Sequence, residues 1–365
     1  MTVTIQGGNS SYDVLIGPEL LDRSGSAIAE RLRKSKCAII SDKNVASRYG
    51  QRVSDSLRSA GFEPMLITIP AGESSKTLKQ VEQVSNQVLE AGLDRHSFVI
   101  GLGGGVVGDL SGFVAAIFQR GIPHVQIPTT LLAMVDSSIG GKTGVNTRLG
   151  KNMLGAVHHP RLVIDDIDVL KTLPSRELNQ GFAEIVKHAI IADSEMFQLL
   201  TQFAPPKLDR LKRSSLPNEL GSLIERNIEI KARIVSKDEL DRTGDRALLN
   251  FGHTVGHGIE RAADYREILH GEAVSLGIVA AAAISMKKAG LGRDQFDAIV
   301  DLLKKFQLPT RLPKDLSRKD IFEAIKFDKK FERGEIRFVV TPKIGSARLV
   351  NDVTMDDIRE AVDEL

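Results

Sequence analysis

The sequence predicts an α/β, Rossmann-like nucleotide-binding domain followed by a mostly α-helical domain. Three observations predict it. Short β-branched runs alternate with helical patterns up to about Leu170 and then nearly vanish. A glycine-rich turn joins one of those strands to a helix. Beyond Leu170 the apolar periodicity is helical. At 365 residues the chain is too long for one ordinary core, and a hydrophobic share of 42% supplies enough apolar material for two.

The N-terminal MTVTIQGGNSSYDVLIG reads as strand and turn. The strands that follow are CAIIS (37–41), MLITI (65–69), FVIGLG (98–103), VQIP (125–128) and LVIDD (162–166), with helical patterns such as LKQVEQVSNQVLEAG between them. That alternation implies a parallel sheet covered on both faces. Pro174 in KTLPSREL breaks the pattern, which sets the domains at 1–172 and 173–365. An active site is expected where two such domains meet. The second half offers the helices RELNQGFAEIVKHAII, LGSLIERNIEIKARIVSKDEL, GEAVSLGIVAAAAISMKKAG and FDAIVDLLKKF. A late hairpin-like pair, EIRFVVT and ARLV, brackets Pro342–Gly345.

Lys plus Arg number 49 against 47 Asp plus Glu, a net charge of +2, which argues against a general nucleic-acid or membrane binder. An anionic partner would have to be met by a local basic site. The one cysteine, Cys37, cannot form an internal disulfide and fits a reducing cytosol. The N-terminus has no basic segment followed by an apolar one, so no signal peptide is expected. AVSLGIVAAAAISM is apolar but too short to span a bilayer and reads as a buried helix.

In FVIGLGGGVVGDLSGFVAA, Gly103, Gly105 and Gly108 satisfy G-x-G-x-x-G between a strand and a helix. Such a turn lets a pyrophosphate approach backbone amides at a helix N-terminus, although a tight strand–helix turn needs the same glycines. The motif follows at least two earlier strands, and the usual acid about 20 residues downstream is not clearly present. Asp42, at the end of CAIISD, is placed to take the ribose instead.

SSIGGKTGVN (137–146) imitates a phosphate-binding P-loop, but Asp136 stands where that loop needs its first glycine. Lys142 and Thr143 still read as loop residues with free backbone amides, suited to a phosphate or carboxylate, and Lys151 and Asn152 add a second polar pair.

Histidine carries the next signal. His253 and His257 in LNFGHTVGHGIE stand four residues apart and share a helix face. His270 opens LHGEAVSLG, and Glu184 lies upstream in GFAEIVKHA. A lone histidine is most often a hydrogen-bonded, part-buried side chain, but three within 18 residues among glycines point to a site. Glu184, His253 and His270 would form a His₂Glu set for a metal that keeps a position open, with His257 as a further ligand or an acid–base group. His188 shares the face of Glu184 and suits a supporting role. His158 and His159 show no partner in the sequence, and His96 and His124 read as ordinary loop histidines. These residues fit a metal-dependent NAD alcohol or polyol dehydrogenase, or a lyase or cyclase that uses NAD internally. A non-enzymatic binding module would not need both the glycine loop and the metal set.

The segments GLGGGVVGDLSGFVAA, IPTTLLAMVDSSIGGKTGVN, GFAEIVKHA, LLNFGHTVGHGIE and LHGEAVSLGI, in this order over nearly the whole chain, resemble the 3-dehydroquinate synthases. The resemblance implies a dehydroquinate synthase-like fold, a homodimer, bound NAD and one zinc or cobalt ion. It implies the second step of the shikimate pathway to chorismate and the aromatic amino acids. There 3-deoxy-D-arabino-heptulosonate 7-phosphate becomes 3-dehydroquinate and phosphate, by transient oxidation with NAD, phosphate elimination, re-reduction and intramolecular aldol closure.

By the same resemblance Glu184, His253 and His270 hold the metal, while His257 is an acid–base group. Lys142, Glu184, Lys187, Arg246 and Asn250 join it in catalysis. Substrate carboxylate and phosphate would be met by Asp136, Lys142, Lys151, Asn152, Lys187, Lys231, Arg246, Asn250, His257 and Lys343, and by Arg120 reaching across the dimer. NAD would meet Asp42, Glu73, Lys76, Gly104, Gly105, Val106, Asp109, Thr129, Thr130, Leu132, Asp136, Lys142, Lys151, Thr172 and Leu173. SKDELDRTGDRALLNFGH is one residue longer than the family's usual spacing between Lys231 and Arg246; Arg246 is tied to Asn250 by the LLNFGH register, and Lys231 has no such anchor. Sister cyclases acting on sedoheptulose 7-phosphate, which lacks the carboxylate, are the nearest alternative.

Overall fold

The β-branched runs become strands of one sheet in the computed structural model, which describes residues 1–7, 10–205, 216–217, 219–238, 244–263, 268–326, 331–332 and 335–365. The chain forms two compact units, Met1–Leu173 with Arg213–Ile228, and Pro174–Lys212 with Glu229–Leu365. Among the described residues no helix is long and apolar enough to cross a membrane.

The first unit holds β1 (Thr2–Gly7), β2 (Ser10–Gly17), β3 (Lys36–Asp42), β4 (Glu63–Ile69), β5 (Phe98–Gly103), β6 (His124–Pro128), β7 (Lys142–Thr147), β8 (Gly150–Val157) and β9 (Leu162–Asp166). Seven of them form one sheet in the order β1-β2-β9-β6-β5-β3-β4. All neighbours are parallel except β1 with β2, whose antiparallel register makes this a mixed sheet. Helices at Leu78–Glu90 and Gly105–Ile117 bury Val81, Val84, Val88, Leu110 and Val114 against Ala38, Ile40, Ile67 and Val99. Thr77 starts the first of these by accepting from Gln80 N at 3.2 Å.

β3 is followed by its neighbour β4 on one side, and the chain then crosses to β5 on the other. The strand order therefore reverses between β3 and β5, where open parallel sheets leave a crevice at the carboxyl ends of the strands. Asp42 ends β3 and Gly103 ends β5. The glycine loop follows a late strand because the switch point lies there.

Two expectations need correction. Lys142 and Thr143 do not lie in a loop: they open β7, which pairs antiparallel with β8, Lys142 opposite Val157 and Thr143 opposite Ala156. His124 is not a loop residue: it opens β6, almost wholly buried, with neither ring nitrogen meeting a hydrogen-bond partner among the described residues. It stacks on His158 with ring centroids 4.9 Å apart.

The second unit is built around the helix His270–Ala289, whose small apolar side chains bury it nearly all round. The helices Ser175–Ala192 and His253–Ala262 pack against it. The late hairpin exists, as Phe338–Lys343 paired with Ser346–Val350. Its turn is tied back by Gly345 N donating to Ile190 O at 2.7 Å.

Candidate functional site

Three helices of the second unit each deliver one donor. Glu184 sits mid-way along Ser175–Ala192, and His253 and His270 are each the first residue of their helix. Gly252 makes this possible, because the chain enters the His253 helix through a left-handed residue with φ of 77°. A Cβ there would lie 2.8 Å from Ile278 N, and one on Gly277 would lie 1.9 Å from Gly252 O. Two glycines thus let the helices carrying His253 and His270 touch backbone to backbone.

Glu184 Oε1 lies 3.4 Å from His253 Nε2 and 3.7 Å from His270 Nε2. All three ligand atoms fall within 4.8 Å of one another. The other nitrogen of each imidazole is engaged from behind: His253 Nδ1 by Phe251 O at 3.2 Å, His270 Nδ1 by Glu260 Oε2 at 3.3 Å. An acceptor at Nδ1 keeps the proton there and leaves Nε2 to bind. Glu184 is fully buried with no well-formed hydrogen bond to either oxygen among the described residues, and Lys187, itself 1% exposed, pairs with its charge. A buried carboxylate facing two Nε2 atoms fits a divalent zinc-like ion with a further position open.

The electrostatics agree for two donors. Burial would raise Glu184, but Lys187 and His253 outweigh it and hold the carboxylate well below its usual range. Burial, aided by Lys187, holds His253 well below the usual imidazole value, hence neutral. For His270 burial is outweighed by Glu260 and Glu184, which raise it to about 10. A metal held there would take the place of the Nε2 proton, and Glu260 would keep the one at Nδ1.

His257 stands apart. It is exposed, with ring centroids 5.3 Å from His253 and 6.4 Å from His270, and outside the three-donor cluster. His188 is buried on the Glu184 helix. Lys231 and Arg246 are buried, Asn250 ends the short helix Arg246–Asn250, and Lys343 is exposed at a strand end. Asp238 Oδ2 accepts from Gly244 N at 2.8 Å, and of the stretch between Lys231 and Arg246 residues 239–243 lie outside the described residues.

In the first unit the glycine turn divides its labour. A Cβ on Gly103 would lie 2.6 Å from Val107 and one on Gly108 2.7 Å from Gln126, so these two serve packing. Gly104 and Gly105 open the helix, which has no side-chain cap and no acid in its first turn. Asp42 Oδ1 accepts from Asn44 N and Val45 N at 2.8 and 3.2 Å, which fixes the carboxylate at the β3 end. Lys76, almost wholly buried, pairs with Asp109 and donates to Asn152 Oδ1. Burial raises Asp109 despite that lysine. Glu73 accepts from Asn146 at 2.7 Å. Thr129 N donates to Gly103 O at 2.9 Å, Thr130 caps Ala133 N at 3.1 Å, and Thr172 meets Tyr49 Oη at 2.7 Å. Val106 lies in the first helical turn, Leu132 and Asp136 flank or lie in the turn Ala133–Ser137, and Leu173 caps the turn Ile167–Thr172. Lys142 opens β7 and Lys151 lies on β8, with Asn152 at φ of 55°. Arg120 is exposed, in a left-handed pair with Gln119 at φ of 69° and 49°. Such strain in non-glycine residues clusters at functional sites.

The histidines 158 and 159 belong elsewhere: His158 N donates to Gly141 O at 2.8 Å and His159 packs 5.8 Å from the Tyr12 ring. Sequence reasoning missed Glu260, although it lies seven residues after His253 and three after His257, on one helix face. It also missed Asn146, which no pattern marks.

Comparisons bear on both units. A family model of the 3-dehydroquinate synthase N-terminal part matches residues 66–180, and one of the C-terminal part matches 181–331. The 3-dehydroquinate synthase of Nostoc punctiforme is 43% identical over 352 residues, covering 96% of each chain. That of Thermodesulfovibrio yellowstonii is 43% identical over 361 residues, covering 99% of each. Among solved structures, the 2-epi-5-epi-valiolone synthase ValA of Streptomyces hygroscopicus, with NAD+ and Zn2+ bound, superposes with a TM-score of 0.88 at 32% identity, covering 98% of each chain. A 2-deoxy-scyllo-inosose synthase complexed with carbaglucose-6-phosphate, NAD+ and Co2+ shares the fold, with a TM-score of 0.86 at 24% identity over 100% of each.

Proposed function

The chain belongs to the 3-dehydroquinate synthase family, and we propose that it converts 3-deoxy-D-arabino-heptulosonate 7-phosphate to 3-dehydroquinate and phosphate. What carries this reading is the three-donor centre of Glu184, His253 and His270 in a chain that matches such synthases end to end. A divalent ion there supplies Lewis acidity to a substrate alcohol, and a nicotinamide supplies a reversible hydride acceptor.

The chain's own residues do the rest. Lys187 pairs with Glu184, so the buried carboxylate is not left as an uncompensated anion before an ion binds. Glu260 and Phe251 O hold the two imidazoles by Nδ1 and so orient Nε2. His257, exposed one turn beyond His253, gives and takes protons without binding the ion. Lys142, Lys151, Asn152, Lys231, Arg246, Asn250 and Lys343 meet the substrate's carboxylate and phosphate, each charge-assisted contact contributing about 1.5–3 kcal/mol. Gly104, Gly105 and Val106 present amides to the pyrophosphate, Asp42 takes the ribose, and Glu73, Lys76 and Asp109 line the same side. We assign the ion as zinc or cobalt, the assembly as a homodimer completed by Arg120 of the partner subunit, and the compartment as the cytoplasm.

A sister cyclase acting on sedoheptulose 7-phosphate is the second reading, favoured by the superposition on the valiolone synthase. The experiment is phosphate release with catalytic NAD, with and without a chelator, while NADH absorbance is followed. Release that stops with chelator and leaves no NADH supports the synthase. Release from sedoheptulose 7-phosphate alone moves the chain to the sister cyclases, and steady NADH growth on a polyol makes it a dehydrogenase.

A further inference from the structure

We infer that Asn146 is a positioning residue that couples the nucleotide side of the first unit to Asn152 on β8. The inference deepens the proposed function and rests on its reading of Glu73 and Lys76 as nucleotide contacts and Asn152 as a substrate contact.

Asn146 lies near the end of β7 and is held there by its backbone. Its N donates to Lys76 O at 2.8 Å, and it bridges Thr77 in parallel. Its side chain then works in two directions. Nδ2 donates to Glu73 Oε1 at 2.7 Å, and Oδ1 accepts from Asn152 N at 2.9 Å. Asn152 has a left-handed backbone, which a non-glycine residue keeps only when its surroundings hold it. The second restraint on Asn152 is Lys76 Nζ on its side-chain oxygen, and that same lysine pairs with Asp109. Both restraints on Asn152 therefore run back to the segment 73–76.

The position needs one donor and one acceptor at once on a short side chain. Aspartate has no donor when ionised, serine is too short to span both partners, and leucine has neither group. When Glu73 turns toward a bound nucleotide, its pull on Asn146 Nδ2 is passed through the rigid amide to Asn152 N. Because binding free energies are linked, substrate held at Asn152 must favour the nucleotide by the same factor.

The test uses the full-length, metal-loaded protein. NAD affinity is measured by calorimetry, and KM for 3-deoxy-D-arabino-heptulosonate 7-phosphate at saturating NAD. Asn146→Asp keeps the acceptor for Asn152 N but sets a carboxylate against Glu73. It should weaken NAD binding about tenfold or more, the scale of a charged hydrogen bond, with KM within about twofold. Asn146→Ala should raise both. Asn146→Asp with Glu73→Gln restores the pair with its direction reversed, and should recover most of the NAD affinity that Asn146→Asp loses beyond any effect of Glu73→Gln alone. Wild-type values in Asn146→Ala, equal movement of both constants in Asn146→Asp, or no recovery in the double variant would each overturn the coupling. Glu73→Gln and Asn152→Ala serve as references. If the first leaves NAD affinity unchanged and the second leaves KM unchanged, the functional reading of those residues fails, which is a separate result.

Discussion

Replacing Gly277 with alanine asks whether the metal centre depends on two helix backbones in contact. The new Cβ would fall 1.9 Å from Gly252 O and 2.8 Å from Gly256 N, both on the His253 side. Real Cβ contacts essentially never fall below 3.0 Å, so the two helices must part by about 1.1 Å at this point. Gly252 is bonded directly to His253, and Gly277 lies two turns along the helix that His270 opens. The separation therefore falls between two of the three donors, and functional constellations tolerate only about 0.5 Å. Overpacking of this kind costs roughly 1–3 kcal/mol of stability. We expect the metal-free melting temperature to drop by several degrees, at about 2–4 °C per kcal/mol for a unit of this size. Zinc affinity, read by competition with a chromophoric chelator, should fall about tenfold or more, equivalent to about 1.4 kcal/mol. Gly17→Ala is the control, since a Cβ there meets nothing within 4 Å. A Gly277→Ala protein that melts and binds zinc like the control would refute the argument that this contact sets the donor geometry.

Three other outcomes follow from the same geometry. His253→Ala should purify without its metal, while His257→Ala should retain metal and lose turnover; equal metal loss in the two would end the division of roles. Glu260→Gln should weaken zinc binding by about 10–100-fold, the usual cost of removing a carboxylate behind a ligating histidine, and an unchanged chelator-competition curve would count against it. Asp165 is fully buried with no hydrogen-bond partner for either oxygen among the described residues, and burial raises it well above the usual carboxylate range. The folded chain therefore keeps a proton that the unfolded chain releases above its ordinary value of 3.8. Stability from this group is fully present below that value and falls as pH rises toward the folded one, by about 1.4 kcal/mol per pH unit. Asp165→Asn should lack that decline, and parallel urea-denaturation profiles against pH for the two proteins would contradict it.

What could be read from the sequence was what chemistry restricts to few residue types. Glu184, His253 and His270 stood out because histidines at such density among glycines have few other uses, and the structure brings those three together. The central strands β3, β5, β6 and β9 were legible because each is a short buried run, as in Cys37–Ile40. The hairpin β7–β8 was not. Its segments, KTGVNT and GKNMLGAV, carry three glycines and expose most of β8, so no alternation of apolar and polar residues announces strands. His124 looked like a loop residue because a buried imidazole without a partner is not a pattern that spacing can show.

The glycine loop shows why order along the chain and order in space must be separated. Judged by a Rossmann half in which the first strand feeds the loop, G-x-G-x-x-G after FVIGLG comes too late. In the sheet, β5 lies beside β3, so the loop and Asp42 occupy neighbouring strand ends at the point where the order reverses. Strand order is set by which helices cover which face, information spread over many residues and held in no motif. The supporting residues are hidden for a related reason. Glu260, Asn146 and Gly277 each act through a neighbour brought close by the fold, and in the sequence they read as a helix-end acid, a turn asparagine and one more small residue in an apolar helix. The close contacts at Gly252 and Gly277 carry the same lesson to the metal centre. The sequence names its ligands, but the distances among them are set by residues that carry no chemistry of their own.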